Sequence, residues 1–245
     1  MLNNLGKIAV IITGEYRTWL IAKKYIFDFF NGYNVDYFFV TWAPIDAEEI
    51  RNSFVGHNLI DVRVEDTMSD DVPNFLLKAH LSKIANILKR RYEFDNKFIY
   101  DHVIEIRPDL YLTPSTVEAK PCDNFTIAVG NWWTYKEHPV PLVPDLYFRT
   151  TSAGHDVVST RNHYGKFNQL DKFCDLDRSD HRFKPMLTTH DPHFMLYDFL
   201  AQRRMMLVHS VPDEVRDIVV VRPNFPNDNN YYTFEQAVEF YRNYS

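Results

Sequence analysis

Cysteine is scarce in this chain: Cys122 and Cys174 are the only two in 245 residues. They stand far apart and match no metal-ligand spacing, so a reduced intracellular protein is the natural reading, with one disulfide as the alternative. Long apolar runs are missing as well. The stretch at 8–12 is too short for the hydrophobic region of a signal peptide and passes straight into polar residues. No segment reaches the length of a membrane helix, which leads to the expectation of a cytoplasmic protein with no membrane-spanning segment. There is no basic excess either. A net charge of −6 argues against bulk attraction to nucleic acid or to an anionic membrane, while leaving room for a local basic pocket that holds a diphosphate. The sequence carries neither the G-x-G-x-x-G fingerprint of dinucleotide sites nor a Walker loop, and it shows no internal repeat or low-complexity tract.

What is present reads as an α/β protein. Hydrophobic residues make up 45% and charged residues 24%, near globular averages, so a sizeable core and one domain over 1–245 are expected. Aromatics are abundant at 16%, which fits a bulky core and also sites for flat ligands and sugars. Short β-branched or apolar runs predict strands at 7–13, 36–41, 59–65 and 102–106. Helices are predicted between them at 18–30, 46–54 and 74–92. In the first, Leu20, Ile21, Tyr25, Phe29 and Phe30 fall near helical spacing; in the last, Leu77, Leu81, Ile84 and Leu88 share one face. Lys89, Arg90 and Arg91 suit the negative end of that last helix. The alternation predicts a mostly parallel central sheet, Rossmann-type, flanked by helices on both faces. The second half is less regular, with strands expected at 125–129, 145–148 and 206–209 and helices at 152–167, 191–203 and 234–241.

Ligands of open parallel sheets bind beyond the carboxyl ends of the strands. Two such ends carry suitable chemistry. At Thr13-Gly14-Glu15-Tyr16-Arg17, Gly14 permits a tight turn and a close backbone approach, and Arg17 could clamp a phosphate or carboxylate. The bland alternative is an ordinary turn with a surface arginine. At Arg107-Pro108-Asp109 an apolar strand delivers a carboxylate to the edge, where it could hold a divalent metal on a diphosphate or bind a sugar hydroxyl. The bland alternative there is an Arg–Asp pair fixing a turn. Trp132 and Trp133 follow the 125–129 strand and could stack on a sugar, or simply pack in the core. His190 and His193 flank Asp191 at a spacing compatible with two metal ligands; with His209 they would suit a metal-dependent hydrolase. Asp191 equally fits a helix N-cap followed by proline. Asp175-Leu176-Asp177 lies in a polar stretch with no apolar strand before it and reads as surface.

The segments TGEYRT at 13–18 and RPDLYL at 107–112, in that order, together with VDYFFVTW at 35–42, resemble a family of small GT-A-type glycosyltransferases of large DNA viruses, phages and bacteria. The resemblance covers roughly the first half of the chain. It implies a GT-A-like fold with a nucleotide-binding half at about 1–112 and an acceptor and catalytic half at about 113–245. It implies transfer of a sugar from a nucleotide-sugar donor to a hydroxyl acceptor, for instance on a glycan. Thr13, Gly14, Arg17, Arg107, Asp109 and Tyr111 would then lie on the donor, and Trp132 and Trp133 on the acceptor. By position, Asp109 corresponds to an Asp of the Asp-x-Asp motif that usually holds Mn²⁺ or Mg²⁺. The chain departs from that motif, because Tyr111 stands where a second Asp is expected. Either another residue completes a metal site, with His209 as candidate, or Arg and Lys side chains supply the positive charge. Asp145, in a D-x-x-F-like segment, and Asp191 are candidates for the general base. The missing carboxylate also admits a catalytically inactive nucleotide- or glycan-binding domain.

Overall fold

Lys7–Thr13 is apolar on both of its sides, as a strand must be when it is covered on two faces. The computed structural model describes residues 6–68, 74–112, 126–129, 147–159, 206–209 and 218–220. In it this strand, β1, sits inside a seven-stranded sheet, bonded on one side to β2 (Asn34–Trp42) and on the other to β4 (His102–Ile106). Both pairings are parallel, and β3 (Leu59–Glu65) adds a further parallel strand beyond β2. Past β4 a single strand is reversed. Strand β7 (Tyr147–Thr150) runs antiparallel to β4 and to β6 (Thr126–Val129), and β8 (Met206–His209) is parallel to β6. The full order is β3-β2-β1-β4-β7-β6-β8. A separate antiparallel pair joins β5 (Leu110–Leu112) to β9 (Ile218–Val220). That pair is unannounced in the sequence: strands of three residues carry too little pattern to register.

Helices α1 (Trp19–Phe29) and α2 (Ala47–Ser53) cover one face. Trp19, Ile26, Ile50 and Phe54 pack there against Ile8, Val10, Ile12, Phe39 and Ile104. The buried face of α1 is the expected one only in part: Phe30 is buried and Phe29 packs against the core. Trp19, Ala22 and Ile26 point inward, while Leu20 and Ile21 are exposed. Trp19 decides this, because its indole donates from Nε1 to Ser53 Oγ at 2.7 Å and stacks on Phe54 at 5.0 Å, tying α1 to α2. Asp46 caps α2, accepting from the Glu48 amide at 2.9 Å.

Helix α3 (Asn74–Asn96) and α4 (Ser152–Ser159) lie on the other face. Leu81 and Ala85 pack on Phe38, Val40 and Val103, with Ile84 and Leu88 only partly buried beside them. The next stripe round α3 is polar yet buried: Lys78, Ser82, Asn86, Lys89 and Glu93. Because the helix runs a turn past 92, Lys89 is not a charge at its exposed end but a covered group. Its ammonium donates to Ser152 Oγ at 2.5 Å and to Asp156 Oδ1 at 3.2 Å, and Glu93 Oε2 lies 3.6 Å away. Among the described residues no helix is long and apolar enough to cross a membrane.

Candidate functional site

Because β1 and β4 are parallel neighbours with Ile12 opposite Ile106, their carboxyl ends emerge side by side. The two turns singled out in the sequence therefore meet. Gly14 has φ +144°, and a Cβ added there would lie 3.0 Å from Pro108 Cδ and 3.9 Å from Arg107 Cγ. Only glycine lets the first turn close against the second. Gly14 is further held by its amide, which donates to Val40 O at 3.3 Å.

Arg107 and Asp109 form a two-pronged ion pair. Arg107 Nε donates to Asp109 Oδ1 at 2.9 Å, and Nη2 donates to Oδ2. Asp109 is nearly covered, and the Arg107 side chain is the more open of the two. Arg17 lies half-exposed at the surface and pairs with Glu15. Tyr16, between them in sequence, packs edge-on against Phe39 at 6.2 Å. Burial pushes its hydroxyl up to about 12, and the Glu49 carboxylate beside it pushes the same way, although the two make no hydrogen bond of normal geometry.

Beneath Thr13 lies a cluster that the sequence reading did not single out. Glu105, buried on β4, accepts from Thr13 Oγ1 at 3.1 Å and from Ser82 Oγ at 2.5 Å. Its Oε1 lies 3.3 Å from Lys78 Nζ, which donates to Thr13 O at 2.9 Å and to Thr13 Oγ1. On the far side, His155 of α4 faces Glu105 Oε2 with Nε2 at 3.0 Å and Asn86 Oδ1 with Nδ1 at 2.8 Å. This network fixes the end of β1 from below, so the Thr13–Gly14 turn stands on a braced base. The available signal was a glutamate inside an otherwise apolar strand, HVIEI. At the ends of β2 and β3, Trp42 stacks on His80 with centroids 5.7 Å apart, and His80 Nε2 lies 3.5 Å from Glu65 Oε2.

The remaining candidates fall elsewhere. Asp145, Asp191, Trp132 and Trp133 lie outside the described residues, as do His190, His193 and the side chains of Tyr111 and His209. Strand β7 begins at the same edge as the two turns, since Tyr147 pairs with Ile106. The backbone of His209 pairs with Val129, which pairs with Phe148, which pairs with Glu105. Three strand spacings put it about 14 Å from Glu105. Among the described residues no group of three His, Cys, Asp or Glu side chains could hold a metal ion. Asp109 is a lone carboxylate, nearly covered and already accepting from Arg107 at both oxygens, so the donor set among the described residues offers a divalent cation too few open oxygens. A cavity of about 620 Å³, lined in part by Lys23, Phe27, Tyr37, His57 and Asn58, opens at the amino ends of β2 and β3, away from all these residues.

No protein-family model matches the chain, and no curated protein matches it in sequence. Solved structures do match it in shape. The apo-form glycosyltransferase GlyE of Streptococcus pneumoniae TIGR4 aligns with a TM-score of 0.50 at 11% identity, over 96% of this chain and 59% of that one. The galactosyltransferase LgtC, solved in complex with donor and acceptor sugar analogs, aligns with a TM-score of 0.43 at 9% identity, over 83% of this chain and 72% of that one. The chain thus spans about three-fifths of the GlyE structure. The likeness to GlyE establishes the fold: a GT-A-like α/β sheet, mostly parallel, flanked by helices.

Proposed function

We propose that this chain is a glycosyltransferase that moves a sugar from a nucleotide-sugar donor to a hydroxyl acceptor. The observation that carries the reading is the meeting of Thr13–Gly14 with Arg107–Pro108–Asp109 at the carboxyl ends of two adjacent parallel strands, closed by a glycine at which any side chain would be strained. The fold shared with GlyE supports it. In this reading Gly14 and Arg17 line the nucleotide and its phosphates, while Thr13, expected there from the sequence, is fully covered and braces the turn from below through Glu105 and Lys78. Arg107 faces the diphosphate, and Asp109 and Tyr111 lie beside the donor. Trp132 and Trp133 would receive the acceptor. If the reaction inverts the anomeric centre, Asp145 or Asp191 would take the proton from the acceptor hydroxyl as its oxygen bonds to the anomeric carbon. The bond from that carbon to the diphosphate breaks, and the diphosphate leaves with the electron pair. Positive charge preorganised at the strand end favours that departure.

The test is a hydrolysis and transfer screen over UDP-, GDP- and CMP-sugars, with and without Mn²⁺. One nucleotide class is expected to be released, and Asp109→Ala is expected to abolish turnover. Wild-type-like turnover by that variant would remove Asp109 from the mechanism. A second reading, a catalytically inactive nucleotide- or glycan-binding domain on the same fold, is favoured by Asp109 having both oxygens on Arg107. Calorimetric binding of a nucleoside diphosphate without turnover of any nucleotide sugar would select it.

A further inference from the structure

The Arg107–Asp109 pair is asymmetric in a way that bears on how an anion is met. The Arg107 side chain is 22% exposed and that of Asp109 is 6% exposed. What this strand end presents outward is therefore the cation, with the carboxylate behind it. The guanidinium is oriented by two bonds, from Nε to Asp109 Oδ1 and from Nη2 to Oδ2. A guanidinium keeps its charge at every accessible pH, and its planar fork matches pairs of phosphate oxygens as well as carboxylates. A divalent cation asks for something else. Mg²⁺ and its kin take a near-octahedral set of oxygens, including one or two accessible carboxylates. Here Asp109 is covered and doubly bonded, and Tyr111 follows at the position where the resemblance expects a second carboxylate.

We propose that a diphosphate at this strand end is bound directly by Arg107, with Asp109 as the positioning residue that aims the guanidinium, in place of a divalent cation held on Asp109. The inference rests on the nucleotide-sugar reading for the identity of the anion, but not for the behaviour of the metal. Two measurements on the full chain separate the two. Titration of Mn²⁺ alone, followed by electron paramagnetic resonance, should show no tight site in the wild type. Calorimetry with UDP and with GDP should give a Kd that changes less than twofold between EDTA and Mn²⁺. Arg107→Ala should weaken the nucleotide that binds by 30-fold or more. Asp109→Asn, which still offers the guanidinium an oxygen, should lose less than tenfold, and circular dichroism should show both variants folded.

A wild-type Mn²⁺ site that disappears in Asp109→Asn overturns the proposal. So does a tenfold or greater tightening of nucleotide binding by Mn²⁺. If neither nucleotide binds under any condition, the nucleotide-sugar reading fails, and the Mn²⁺ titration alone still decides whether Asp109 is a metal ligand.

Discussion

Under α1 and α2 the sheet meets Trp19, Ile26, Ile50 and Phe54, whereas beside α4 the same sheet meets Lys78, Ser82, Asn86 and His155. The first contact is apolar and tolerant: each side chain contributes by the area it removes from water. The second is a seam of charges and hydroxyls whose members hold one another's polar groups. Glu105 alone is engaged by Thr13, Ser82, Lys78 and His155. Such a seam contributes little net stability but is expensive to leave half-made. It also touches β1 at Thr13, the residue before the turn that closes on Pro108. The apolar face carries the sheet, and the polar seam sets the position of its working edge.

The comparison is broken or upheld most directly by double replacement. Glu105→Leu strips Lys78 and His155 of their shared carboxylate and should lose about 3–5 kcal/mol in urea denaturation. Adding Lys78→Met should restore much of that loss, because the stranded ammonium goes too. On the opposite face Phe39→Ala should also lose about 3–5 kcal/mol, but by leaving a cavity, so a second truncation at Ile50 should deepen the loss. Rescue on the apolar face, or its absence in the seam, would erase the distinction.

Gly14→Ala probes where the seam delivers its effect. The residue sits at φ +144° with Pro108 Cδ 3.0 Å from an added Cβ, so the substitution should cost about 1–3 kcal/mol. Nucleotide affinity should fall more than stability does, since the turn itself is displaced. A variant of unchanged stability and affinity would show that the two turns are not locked together.

How far the sequence alone foretold this arrangement depends on the kind of signal. The first four strands and the parallel order were legible, because β-branched runs such as 7–13 occur at regular spacing between helical ones. The two turns were legible through glycine and proline. The inward faces were harder. In α1, Leu20 and Ile21 outvoted Trp19 on hydrophobic spacing, although one indole bond to Ser53 settles the orientation. In α3 the polar stripe 78, 82, 86, 89 and 93 repeats with helical period as clearly as the leucines do, but polarity alone argues for solvent. Only the partners across space, Glu105 on β4 and Ser152 on α4, turn those residues inward. Pairing between distant segments is what one sequence hides.

Alkaline titration sets Tyr37 on the apolar face against Lys89 in the seam by sign. Burial raises the Tyr37 hydroxyl on the apolar face well above 10, so above pH 10 the unfolded chain releases a proton that the folded one retains. The folded state then binds more protons, and stability falls as pH rises from 10 upward. In the seam, burial lowers Lys89 below 10.5. There the unfolded chain holds more protons, and stability rises as pH climbs from the lowered value toward 10.5. Denaturation midpoints should therefore increase toward pH 10 and drop beyond it. Tyr37→Phe should soften the drop, and Lys89→Met should flatten the rise. A monotonic profile unaltered by either substitution would contradict both assignments.

The smallest expected effect lies on the apolar face and checks that its contacts act locally. Asp46 accepts from the Glu48 amide and so satisfies one of the free donors at the start of α2. Asp46→Ala should cost about 1 kcal/mol, the usual value of such a cap. Ile50 and Phe54, one and two turns on, stay anchored among Trp19 and Phe39, so the helix has no reason to move as a body. Nucleotide binding at the strand ends should then be unchanged within twofold. A larger fall in affinity than in stability would mean that the apolar face also steers the working edge, and the division of labour between the two faces would have to be given up.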